Sequence, residues 1–204
     1  MPRKLDRGLD AFERRAWKRA RRLLEEAMAE EERATGHYYL GLLYWRGLGG
    51  ERNVAAAVDC FARAADDGHP GAQTAYGIAL RSGVGAIKDD DEARRQFRAA
   101  AGAGDGEAMV QLATMSEPDD ARYWLLRASE LGYPPAMLHL ADMVMRYDPI
   151  DALAWLYANV ALTGSEDARE RAKALAKQMT AAEIDTAQKA GRLYVRDVAQ
   201  RAPR

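Results

Sequence analysis

Glycine recurs at one fixed distance through the first half of this chain, and that distance limits the possible folds more than any other feature. The block Tyr39-Leu40-Gly41-Leu42-Leu43-Tyr44-Trp45-Arg46-Gly47-Leu48-Gly49 is echoed by Ala75-Tyr76-Gly77-Ile78-Ala79-Leu80-Arg81-Ser82-Gly83-Val84-Gly85. Gly41 and Gly77, Gly47 and Gly83, Gly49 and Gly85, and Gly68 and Gly104 each stand 36 residues apart. A period of this length marks a repeat array, whose units are too small to bury an apolar face alone and bury it against neighbours. The register continues through small residues: Gly77 leads to Ala113 and then Ala141, and Gly104 to Gly132. The later spacing is 28, because Ser116-Glu117-Pro118 replaces the glycine loop of the earlier units. The small residues opening the units run Gly36, Ala72, Ala108, Ala136.

Each unit reads as helix, loop, helix, turn. Ala, Leu, Arg and Glu dominate and long Val, Ile or Thr runs are absent, which favours helix over strand. Leu40, Gly41 and Tyr44 share one face of a 3.6-residue period. A mid-helix glycine costs about 1 kcal/mol against alanine, so Gly41 and Gly77 are expected where two backbones come close. Second helices are predicted over 54–65, 92–103, 121–131 and 152–162. Acids open several of them (Asp89-Asp90-Asp91-Glu92, Asp119-Asp120, Asp148), and Gly68, Gly104, Gly132 and Gly164 close them. The ends differ from the middle. Residues 9–33 are expected to form one long amphipathic helix, with Phe12, Ala16, Leu23, Leu24 and Ala27 on its apolar side, as the second helix of an unpaired opening unit. Helices at 166–178 and 181–200, joined by the capping box Thr180-Ala181-Ala182-Glu183, are expected to close the array, with Leu175, Met179, Ile184 and Leu193 covering the last unit. The layout is thus a cap at 1–35, four repeats at 36–71, 72–107, 108–135 and 136–164, and a second cap at 165–204.

The pattern Leu40-Gly41, Tyr44, Gly47, Gly49, Ala64-Ala65, Gly68 resembles the Sel-one-like repeat, a relative of the tetratricopeptide repeat. Leu80, Gly83, Gly85, Asp89, Ala93, Ala100-Ala101 and Gly104 match it again, and Ala154-Trp155-Leu156, Gly164-Ser165-Glu166-Asp167-Ala168 and Gln178-Met179-Thr180 look like the common bacterial ending of such proteins. The resemblance covers about residues 36–191 and is strongest in the first two units. It implies an all-α, right-handed superhelical solenoid of antiparallel helix pairs. It also implies a concave face that binds proteins or peptides, as in bacterial adaptors of signalling, envelope or secretion pathways.

Catalytic and metal-binding patterns are not found in the sequence. His37, His69 and His139 form no zinc motif, and no cofactor is expected. The loops at 47–50 and 83–85 lack the Gly-Lys-Ser/Thr of a phosphate loop, and their glycines are read as supplying positive φ. The run 89–92 lacks the spacing of a calcium loop and is read as a helix cap. Cys60, the single cysteine, is read as a small buried apolar residue, which suits a reducing compartment. The N-terminus has no apolar leader stretch and no run of about 18 apolar residues exists, so a cytoplasmic, monomeric protein without a transmembrane helix is expected.

The expected function is a scaffold for a protein or peptide partner, not an enzyme. Tyr39, Arg46, Gln73, Arg81, Gln111, His139 and Arg146, on first helices outside the core stripe, are the candidate partner-binding residues. One alternative stays open. Residues 1–22 carry nine Lys/Arg and three acids, and a basic arm of this kind can touch nucleic acid or an anionic membrane. More often such a segment is the solvated face of a terminal helix, and nucleic acid is not the expected partner.

Overall fold

The computed structural model describes residues 3–28 and 34–201, and the described residues form twelve helices and no strand. In order they are α1 (Lys4–Glu13), α2 (Trp17–Met28), α3 (Ala34–Arg46), α4 (Val54–Asp66), α5 (Pro70–Ser82), α6 (Asp90–Gly102), α7 (Gly106–Thr114), α8 (Pro118–Glu130), α9 (Pro134–Val144), α10 (Pro149–Thr163), α11 (Glu166–Ala176) and α12 (Ala181–Arg201). They group into two compact units, residues 1–105 and 106–204.

The local chemistry that the sequence signals is in place. Asn53, Asp89, Asp148 and Ser165 cap α4, α6, α10 and α11 by accepting a backbone N–H. The pair-to-pair turns at Gly68, Gly104, Gly132 and Gly164 have φ between 70° and 90°, a conformation that a Cβ disfavours. Thr180 and Glu183 exchange hydrogen bonds as a capping box: the Glu183 N–H donates to Thr180 Oγ1 (3.3 Å), and the Thr180 N–H donates to the Glu183 carboxylate (2.8 Å).

In the first unit the mid-helix glycines make room chiefly for an aromatic ring of the second helix, rather than for the close backbone approach expected of them. The ring of Phe61 lies against Gly41, and the ring of Phe97 against Gly77. A Cβ added at either glycine would sit 2.6 Å from a ring carbon. The fully buried Ala57, Ala64, Ala93 and Ala100 complete the second-helix faces.

Two further expectations are corrected. The single helix expected over 9–33 is two helices, because the chain reverses at Arg14–Ala16, where Arg15 takes φ 56°. The reversal brings Gly8 onto Leu24, repeating the glycine contact of the later pairs, so the opening unit is a complete pair. Ala16 lies exposed in the turn, and residues 29–33 lie outside the described residues. In the closing helices Leu193 is 47% exposed. Its neighbour Tyr194 covers the last pair instead, stacking on Trp155 at 3.9 Å and donating a 2.6 Å hydrogen bond to Asp151. A one-residue shift on a helix moves a side chain by about 100°, enough to exchange the two roles.

Candidate functional site

In the first unit the first-helix aromatics are taken up by internal packing. Tyr38 stacks on the imidazole of His69 (4.4 Å), Tyr39 lies edge-on to Phe12 (4.7 Å), and the Arg52 guanidinium sits 5.8 Å over the Trp45 ring. Tyr44 donates to the Glu25 carboxylate (2.9 Å) beneath the Arg21 guanidinium. Burial, and then Glu25, push its phenol pKa up, so it remains a donor. His69 is the N-cap of α5, its Nδ1 accepting from the Ala72 N–H (3.2 Å), and burial pushes its pKa down, which keeps that acceptor neutral. His37 is buried, with Nδ1 unbonded.

The second unit has an open groove of about 610 Å³ between α7, α8 and α9. Its floor is Ala113, Ala121, Leu125 and Met143; His139 and Tyr147 stand on its sides. Two sequence changes coincide with it. Ala113 and Leu125 hold the positions that Gly77 and Phe97 hold one repeat earlier, so the buried ring is missing. The links are also short: 115–117 joins α7 to α8 and 145–148 joins α9 to α10, where the first unit has seven-residue loops at 47–53 and 83–89. Asp142 on the rim pairs with Arg171 of α11.

The seven candidate residues separate. Tyr39 and Gln73 are half-buried, and the Gln73 amide donates to the Ala65 carbonyl (3.4 Å). Arg81 and Gln111 are half-buried on α5 and α7. Arg46 ends α3 exposed, while Arg146 is exposed in the turn after α9, so their equivalence by spacing does not extend to the same place on a helix. His139 alone of the seven lines the groove. Met143 and Tyr147 were not singled out in the sequence; the shortened link beside them is the signal that points there.

The sequence profile of the Sel1 repeat matches residues 34–69, 70–105 and 107–133. The chain carries three Sel1 repeats. The first two matched Sel1 repeats begin with the first residues of α3 and α5, two residues ahead of the boundaries expected from the glycine register, and the third begins one residue into α7. Among solved structures, the Sel1 repeat protein from Oxalobacter formigenes is similar at TM-score 0.76 and 22% identity, over 98% of this chain and 83% of that one. The protein c5321, a protective antigen of uropathogenic Escherichia coli displaying an SLR fold, gives TM-score 0.73 and 24% identity, over 97% of this chain and 45% of that one. The immunity protein Pa5087 from Pseudomonas aeruginosa gives TM-score 0.54 and 20% identity, over 90% and 74%. These likenesses concern the fold. Comparison with curated protein sequences gives no match. Among the described residues no three His, Cys, Asp or Glu side chains are grouped to hold a metal ion, and no helix is long and apolar enough to cross a membrane.

Proposed function

We propose that this chain is an interaction scaffold of the cytoplasm that takes a segment of another polypeptide on its first-helix surfaces, with the α7–α9 groove as the anchor. The observation that carries this reading is the groove itself: an open, largely apolar cleft with the exposed His139 on its wall. Gln111 and Arg146 are the proposed peripheral contacts in that unit, and Tyr39, Arg46, Gln73 and Arg81 are proposed separately as partner contacts of the first unit. The basic N-terminal segment fits nucleic acid less well, because Arg14, Arg21 and Arg22 each pair with an acid one helical turn away (Asp10, Glu25 and Glu26).

The test is a photo-crosslinking residue placed at His139 and, separately, at Arg63, an exposed second-helix residue of α4. We expect one discrete polypeptide to be captured from position 139 and not from 63. Capture from 63 alone, or from neither, refutes the reading.

A further inference from the structure

In the first unit each glycine loop lies across the start of the second helix of the preceding pair. Gly49 lies on α2: a Cβ there would be 2.5 Å from the Trp17 carbonyl oxygen. Gly85 lies on α4: a Cβ there would be 2.7 Å from Val54 and 2.8 Å from Val58. The corresponding α9–α10 link spans only 145–148 and has no glycine to lie on the start of α8; its Tyr147 stands at the side of the groove instead. The groove opens at that place, with Pro118, the first residue of α8, on its edge.

The same rim is acidic. Glu117, Asp119 and Asp120 are all exposed at the start of α8. Glu117 is the N-cap but makes no capping bond through its side chain, and none of the three holds an ion pair among the described residues. Asp142, by contrast, is neutralised by Arg171. The helix dipole accommodates these carboxylates without cancelling their field.

Resting on the scaffold reading above, we propose that the groove takes an extended segment of a partner polypeptide that replaces the missing loop. The segment has a glycine or alanine to cross the start of α8, an apolar side chain to fill the space over Leu125 and Met143, and a lysine or arginine within about three residues to meet Glu117, Asp119 and Asp120. It is extended because the loops it imitates are not helical. It is basic because the uncompensated charge on the rim is negative.

The probe is a random library of short displayed peptides selected against the full chain. The expected result is enrichment of peptides that combine an apolar residue with a nearby Lys or Arg. Retention of those peptides should fall about tenfold in Asp119→Lys/Asp120→Lys and in Thr114→Trp, which fills the groove from its exposed edge. Circular dichroism checks that both variants fold, and Asp119→Asn/Asp120→Asn, which only removes charge, gives an intermediate loss. Enriched peptides that lack basic residues, or that bind all three variants equally, overturn the proposed chemistry and leave the scaffold reading standing. Absence of enrichment over an unrelated helical protein overturns both. Self-association in sedimentation that Thr114→Trp abolishes makes a second copy the occupant and also overturns the proposal.

Discussion

Exchanging the Gly77–Phe97 contact for the pair one repeat later tests the packing argument directly. A methyl at Gly77 would lie 2.6, 2.9 and 3.0 Å from three ring carbons of Phe97, against about 3.5–4.0 Å for ordinary carbon contact, and Phe97 is fully buried. Gly77→Ala gains about 1 kcal/mol of helix propensity and loses about 1–3 kcal/mol to overpacking, so a net loss of about 1 kcal/mol is expected. Phe97→Leu empties part of the ring site and costs about 1–3 kcal/mol. The double variant recreates Ala113 and Leu125, and its new methyl occupies space the ring has left. It should be at least as stable as Phe97→Leu alone, a favourable coupling of about 1–3 kcal/mol. At Gly41 the coupling with Phe61→Leu should be smaller, because the Cβ would also stand 3.2 Å from the Ala57 carbonyl oxygen, which does not change. Urea melts of each set of four proteins, followed by circular dichroism, give both numbers. Additive losses at position 77 would refute the reasoning.

Three further outcomes follow from geometry already described. Tyr194→Ala removes the stack on Trp155 and the bond to Asp151, and should cost about 2–3 kcal/mol with a red shift of tryptophan emission; unchanged emission refutes the covering role. His69 has its pKa lowered by burial, so its neutral form is the one that supports the fold. Its contribution is complete above the ordinary histidine range and is lost as pH falls through that range toward the depressed value. His69→Asn keeps a cap that does not titrate, so wild type should lose stability relative to it between about pH 7 and pH 5; parallel curves would remove His69 as the source. Burial, and then Asp59, push the Cys60 thiol up to about 11, so it should react with a disulfide reagent on the order of a hundredfold more slowly in the native chain than in urea; equal rates would show that it is accessible.

The sequence makes the helix pairs of the first unit legible because each carries redundant signals: a cap, a mid-helix glycine, a turn glycine. The α1–α2 pair has the mid-helix glycine, Gly8, but no glycine at its turn. Arg15 takes a left-handed conformation without being glycine, in a turn closed by the edge contact of Phe12 with Trp17 and by the packing of Gly8 on Leu24. Register on α12 is also weak in the sequence, since Leu193 and Tyr194 are both large and only tertiary contact decides which turns inward. The groove is half-legible. The loss of the glycine loop at 116–118 is visible in the sequence, but a groove exists only when Ala113, Leu125 and the short 145–148 link meet in space. The candidate residues chosen by helical spacing include Tyr39, whose aromatic character serves equally well to pack against Phe12.

The two units impose different schedules on a chain emerging from the ribosome. From α1 to α6 every helix packs chiefly on its sequence neighbours, so each pair can dock as soon as it has been made. The second unit cannot finish that way. Its last helix, α12, runs back along α10 and reaches α8, where Val198 meets the Gly132 turn. Until α12 has been translated, Trp155 lacks the ring of Tyr194, so the core of the second unit closes only when helices distant in sequence meet.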